Sequence, residues 1–334
     1  MLLTFKMLLT NQTQVNVSVE LQRQELLGLV VSCIVTTLPC CVFLFINVTT
    51  LYTLRSKPVF KETSRYILLF NLLFADTVQL AHSQSMFLLP VIRVALLFPV
   101  CVALTALYSL SHRISSITLL FMCLERYVAV CFPLRHSAII TIRNTKVVIC
   151  VIWMFSLLNS IIQLIIMLRF SFQDLQHLQM TDYCGKEGVY VDPMSDIYDK
   201  FSTYFLFALG GVTVIFSYTG IMIAARTAST NKVSAKRARR TLLLHLVQMG
   251  LTMSSTIQNS LISVVSKNVD RVVTVRMQIC LYICINILPK CLSCLIYGLR
   301  DRTIRSVLIF NLSCQWGHSS MIPDIQARKK IPVR

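Results

Sequence analysis

Charge is scarce in this chain. Asp, Glu, Lys and Arg make up only 14% of its 334 residues, and acids are outnumbered by bases, 14 against 32. A soluble protein of this size needs more polar surface than that. With 55% hydrophobic residues and a mean hydropathy of +0.68, its natural solvent is a membrane. Glycine and proline are also few, nine of each. No Ser/Gly/Pro-rich linker divides the chain, so it reads as one domain although its length would suit two soluble ones. The signatures of covalent and phosphate chemistry are missing as well. There is no phosphate-cradling Gly-rich loop, no His-Glu-x-x-His and no nucleophile elbow, which leaves an enzyme reading without support. No cofactor and no metal is expected. The pair Cys291-Leu-Ser-Cys294 has the spacing of a zinc or redox motif, but it lies in an apolar run without a second pair nearby and is read as packing.

Long apolar runs are what the sequence has in abundance. Seven of them exceed the roughly 20 residues that span hydrocarbon: Leu27–Leu54, Ser64–Leu89, Phe98–Cys131, Thr145–Leu168, Asp199–Ala228, Ala235–Val265 and Val273–Gly298. They predict an all-α, seven-transmembrane helix bundle. A short amphipathic stretch follows at Arg300–Phe310, with Ile304, Val307 and Leu308 at helical spacing. Residues 1–26 are then an extracellular N-terminus, 27–298 the transmembrane domain, and 299–334 the amphipathic helix and cytoplasmic tail.

The net charge of +18 would suit nucleic acid, so the position of each charge matters more than the sum. With the N-terminus outside, most of the 32 Lys and Arg fall on the inner side, where the only acids are Glu62, Glu125, Asp301 and Asp324. The outer bases are balanced by outer acids. This is the Lys/Arg excess of cytoplasmic loops in a multi-pass plasma-membrane protein; the bilayer explains the basicity and no nucleic acid is needed. Met1–Leu9 is interrupted by Lys6 and too short for a signal-peptide core, so the first helix is expected to direct insertion. Sequons at Asn11 and Asn16 lie on the outer side, where they can be glycosylated; those at Asn47 and Asn311 fall within a helix and on the inner side. Nearly all of the 13 cysteines sit in apolar helices as small hydrophobes. Cys101 and Cys184 alone are placed for an oxidising compartment, and a bridge between them is plausible.

The third helix carries the most information. Cys101 and Arg126 are 25 residues apart, roughly 37 Å of helix, so one rod holds an outer anchor and an inner charge. Its inner end, Met122-Cys-Leu-Glu-Arg-Tyr-Val-Ala-Val-Cys131 followed by Phe-Pro-Leu-Arg-His136, resembles the helix 3 signature of rhodopsin-like (class A) G-protein-coupled receptors, and most closely that of fish-type odorant receptors. Asn71-Leu-Leu-Phe-Ala-Asp76 in helix 2, Asn47 in helix 1, Trp153 in helix 4, Ser217-Tyr218 in helix 5, Leu244-His245-Leu246 in helix 6 and Leu295-Ile-Tyr-Gly-Leu-Arg-Asp-Arg302 after helix 7 match in the family's order. The likeness covers about residues 25 to 310.

The resemblance implies an odorant receptor that binds a small-molecule odorant and activates a heterotrimeric G protein. It implies a pocket lined by Thr105, Tyr108, Ser109 and His112 of helix 3, Ser202 and Leu206 of helix 5, Thr256 and Asn259 of helix 6, and Ile283 of helix 7. Glu125, Arg126, Tyr127, Tyr218, Tyr297, Asp76 and Lys290 are the implied switch and coupling residues. The serines and threonines among the pocket residues are equally suited to bonding their own backbone or another helix.

Three departures from the pattern stand out. The family's Asn-Pro-x-x-Tyr is Ser293-Cys294-Leu-Ile-Tyr297 here, with Pro289 one turn earlier to kink the helix. Helix 6 reads Thr252-Met253-Ser254 in place of an aromatic element, and helix 5 carries Gly210-Gly211. Lys290 is the most unusual: an ammonium within an apolar helix costs about 2.5 to 3.5 kcal/mol unless paired. Either it pairs with Asp76, where related receptors hold sodium, or it snorkels to the inner surface. Arg113, 12 residues below Cys101, meets either an anionic ligand or an interhelical acceptor. Two other readings remain open at this point. One is a rhodopsin-like receptor for a peptide or lipid, with Asp174, Asp182, Glu187, Asp192, Asp196 and Asp199 as outer-loop acids for a cationic peptide. The other is a transporter or channel using Asp76, Arg113 and Lys290.

Overall fold

In lipid no water satisfies backbone amides, so a spanning chain must bond every turn to itself as helix. The computed structural model describes residues 2–92, 94, 96–171, 184, 193–227 and 271–294, with single positions between 240 and 254 and at 304 and 305. Among these residues there is helix and no extended strand.

The chain begins with α1 (Leu2–Ser56), whose apolar window opens at Leu27. The helix thus starts far earlier than the membrane span, because no Pro or Gly interrupts residues 2–27. A single turn, α2 (Pro58–Lys61), leads into α3 (Ser64–Val91). The third expected span is α4 (Phe98–Cys131), with the limits read from the sequence. Pro133 then opens α5 (Pro133–Ile139), where its missing N–H is no loss. The longer α6 (Ile142–Ser171) starts after Thr141, whose Oγ1 accepts from the Asn144 N–H at 3.1 Å as a helix cap should. Next comes α7 (Pro193–Thr227), begun two turns before the expected Asp199. Of the expected sixth span, Arg240, Leu243, Leu244, Val247, Gly250, Leu251 and Ser254 are described and are helical.

The last expected span is not one uniform helix. It runs as α8 (Arg271–Leu281), a π-helical turn at Tyr282–Ile287, and α9 (Leu288–Cys294). Pro289 supplies the reason. A proline ring in a helix crowds the carbonyl four residues back, here that of Ile285, and has no N–H to donate to it; a widened turn just before Pro289 absorbs the mismatch. Where the sequence predicts a kink, the backbone answers with a π turn.

Burial shows which helix is central. Half of the apolar window of α4 is buried against 11% for that of α1, and α4 packs against α3, α6 and α7. The fold is inside-out relative to a soluble protein. Ile34, Leu38 and Phe45 of α1, Val151, Met154 and Leu158 of α6, and Phe201, Val212 and Ile215 of α7 are exposed, whereas Asn47, Asp76, Gln79, Arg113, Gln163 and Lys290 are buried. Among the described residues four helices are long and apolar enough to cross a membrane by length and composition, and α3, richer in inward polar groups, joins them in the bundle. At the end of the bundle where α1 turns into α3, Leu54, Phe60, Leu69, Leu119 and Ile221 form a cluster that also takes in Ile304, one of the apolar positions of the expected amphipathic stretch.

Candidate functional site

Helix α4 carries polar groups along its whole buried face, and they sort into a set near its N-terminal end, a middle set and a pair near its C-terminal end. At the top, Cys101 and Cys184 are joined by a disulfide that ties 83 residues of chain into a loop, with Cα atoms 5.7 Å apart. Phe98, Val102, Leu164 and Met167 pack around it.

Below the disulfide, Thr105, Ser109 and His112 are buried and Tyr108 is half-buried. Tyr108 and His112 stack with centroids 6.1 Å apart, and Tyr108 also meets the ring of His82 at 5.5 Å. His112 Nδ1 lies 3.1 Å from Gln79 Nε2. Tyr108 and His112 therefore face α3. Leu206 is buried and Ser202 half-buried on α7, while Ile283 packs on the Cys40, Leu80 and Ile287 cluster between α1, α3 and the π turn. Thr256 and Asn259 lie outside the described residues, as does Tyr297. The structure thus brings the helix 3 candidates together, with Ile283 packed where α1 and α3 meet the π turn.

Arg113 is met by protein on two sides. Its Nη2 donates to Gln163 Oε1 of α6 at 3.2 Å and lies 4.0 Å from Asp199 Oδ1 of α7. Gln163 Nε2 in turn donates to Asp199 at 3.3 Å. Asp199 is therefore no solvated loop acid, as its place among the outer acids suggests; α7 starts early enough to bury it against α4 and α6. Asp196, one turn before, stays exposed and pairs with Lys200 at 2.7 Å.

Deeper still, Lys290 Nζ lies 3.6 Å from Asp76 Oδ1, and both side chains are buried. Ser115 donates to the same carboxylate oxygen at 2.6 Å. Lys290 does not reach for the inner surface. Beside this pair, Asn71 Nδ2 donates to Thr118 Oγ1 at 2.8 Å and Trp153 Nε1 donates to Asn71 Oδ1 at 2.9 Å, so α3, α4 and α6 are stitched at one level. Toward the C-terminal end of α3, Tyr282 of the π turn stacks on Phe87 at 5.3 Å and donates to Gln84 at 3.3 Å, and Gln84 donates to Thr37 at 2.8 Å.

At the C-terminal end of α4, Arg126 Nε and Glu125 Oε2 are 2.7 Å apart, with His136 Nε2 3.7 Å from the other carboxylate oxygen. Tyr127 packs against Phe216 and Phe132 with centroids at 5.2 and 5.9 Å, and Tyr218, two residues after Phe216, is half-buried. Gly220 makes this approach possible, since a Cβ there would collide with the Tyr127 ring, whereas one at Gly211 meets open space. Gly220→Ala is therefore expected to destabilise the receptor by about 1 kcal/mol or more through overpacking, and Gly211→Ala to leave it within about 0.5 kcal/mol. Thermal unfolding of the two variants in detergent checks the contrast.

Sequence reasoning did not single out Gln79, Gln84, Ser115, Thr118 or Gln163. The glutamines carried a usable signal: each interrupts an apolar run with a group that must find a hydrogen bond in hydrocarbon.

Residues 47–297 match the 7 transmembrane receptor (rhodopsin family). Over 275 residues the chain is 30% identical to odorant receptor 131-2 of Danio rerio, covering 82% of this chain and 83% of that one. It is 26% identical to human olfactory receptor 2A12, over 63% of this chain and 67% of the relative, and 25% identical to the olfactory receptor-like protein OLF4 of Canis lupus familiaris, over 74% and 80%. The chain belongs to the rhodopsin family of seven-transmembrane receptors, in its odorant-receptor branch. It is a multi-pass membrane receptor, not an enzyme.

Proposed function

We propose that this odorant receptor binds a small-molecule odorant in the outer half of the bundle and passes the event to a heterotrimeric G protein along α4. The observation that carries the reading is the layout of that one helix: a disulfide at its outer end, a buried polar face below, and the Glu125–Arg126 pair at its inner end. The ligand meets Thr105, Tyr108, Ser109 and His112, with Ser202, Leu206, Thr256, Asn259 and Ile283 as neighbours. Arg126 holds the resting arrangement through Glu125. A ligand that binds the active arrangement more tightly shifts the population and frees Arg126 to engage the G protein, with Tyr127, Tyr218 and Tyr297 as further coupling residues.

The N-terminus lies outside the plasma membrane with Asn11 and Asn16 glycosylated. Residues 27–298 form the membrane domain, and 299–334 supply an amphipathic helix and tail on the inner face, where Lys and Arg are concentrated. Screening amino acids, bile acids and other water-borne odorants on cells expressing the receptor, with cyclic AMP as readout, tests the proposal. A ligand-dependent change that Arg126→Ala abolishes at equal surface expression supports it; an ion current without G-protein activation contradicts it. Glu125→Gln is expected to raise ligand-independent signalling by up to about fivefold, the equivalent of about 1 kcal/mol for a partly exposed pair. Basal cyclic AMP, normalised to surface receptor, measures this.

A further inference from the structure

Arg113 is buried, and its guanidinium is only partly satisfied. One hydrogen bond leaves Nη2 for Gln163, and Asp199 stands 4.0 Å away, beyond hydrogen-bonding reach. Nη1 is buried with no hydrogen-bond partner. One helical turn toward the outside, on the same face of α4, Ser109 Oγ is also buried without a partner. This is unusual for the helix. Ser111 and Ser116 donate to carbonyls one turn back, and Ser115 donates to Asp76. Leaving a charged donor unfilled in a dry interior is costly, and the two open donors, one cationic and one hydroxyl, lie along the stripe that descends from Cys101 through Thr105.

We infer that Arg113 and Ser109 form the recognition site for an acidic odorant, one whose carboxylate accepts from Arg113 Nη1 and Ser109 Oγ. The inference rests on the odorant-receptor reading and adds the ligand's chemical class. The incoming carboxylate takes over from Asp199 as counter-ion of Arg113. Asp199 belongs to α7, so the exchange loosens the outer hold of α7 on α4 and α6. At the other end of α7, Phe216 and Gly220 touch Tyr127, beside Arg126. Ligand exchange at the outer end is thereby connected to the inner pair through one continuous helix.

The test uses the full-length receptor in cells and paired probes: straight-chain alkanoates, aromatic carboxylates and bile acids, each with its neutral primary amide. Acids are expected to activate at concentrations about tenfold or more below their amides, a difference of about 1.4 kcal/mol. Arg113→Gln removes the preference, and Arg113→Lys, which keeps the positive charge, retains part of it. Asp199→Asn removes the competing carboxylate and is expected to shift acid responses to lower concentration without shifting those to amides. A merely structural network would instead weaken both classes together. Amides as potent as their acids, or an unchanged acid preference in Arg113→Gln at equal surface expression, overturn the assignment while leaving the odorant-receptor reading in place. Silence toward every probe, together with no rise in basal signalling from Glu125→Gln, overturns both.

Discussion

Lys290→Met is expected to destabilise the receptor by about 3–5 kcal/mol, the usual result of removing one partner from a buried ion pair, and to deplete it from the cell surface. Asp76 would keep the Ser115 hydrogen bond but lose the ammonium 3.6 Å away, in a place water does not reach. Asp76→Asn strands the ammonium instead and should cost a similar amount. The double variant Asp76→Asn, Lys290→Met removes both charges, and replacement of a whole buried pair by neutral groups is often close to neutral. Recovery of surface expression in the double variant is therefore the expected signature, and the charge-swapped Asp76→Lys, Lys290→Asp receptor should signal better than either of its single components. If both combined variants fare no better than the singles, Lys290 and Asp76 act independently.

Loss of the Cys101–Cys184 bridge is the second large effect. Closing a loop of this length removes much of the freedom of the unfolded chain, and losing such a bridge typically costs about 2–5 kcal/mol. Cys101→Ser, Cys184→Ser and the double substitution should be equally impaired, because each breaks the same bond and their effects do not add. Thermal unfolding of solubilised receptor, compared with wild type under reducing conditions, reads this directly. The bond also fixes the top of α4 to the loop that leads into α7, so ligand responses should fall in step with stability.

The spanning architecture is legible in the sequence because lipid imposes a simple rule, long apolar helix or nothing. The limits of α4 could be read to the residue, since Pro99 opens it and Pro133 follows its end. The start of α7 could not. Asp192, Asp196 and Asp199 read as loop, and only the opposing Arg113 and Gln163 explain why Asp199 is buried in a helix. Lys290 stands between: the sequence names Asp76 as its partner and leaves snorkelling as the alternative, and the closeness of α9 to α3 at the level of Asp76 decides for the pair. The glutamines form their bonds across helices at separations of 33, 36, 47, 50 and 198 residues. Partners so far apart along the chain are set by packing, which periodicity does not encode. Pro289 announced a disturbance in the last helix, but not that it would take the form of a π turn one step earlier.

A receptor of this design needs the two ends of α4 on opposite sides of the membrane. Epitope tags placed in the segment between α6 and α7, near Cys184, and after Arg334 can be stained on intact and on permeabilised cells. The first tag should stain without permeabilisation and the second only after it. Staining of the C-terminal tag on intact cells, with the Cys184 segment protected, would place the Glu125–Arg126 pair outside the cell and contradict the receptor assignment.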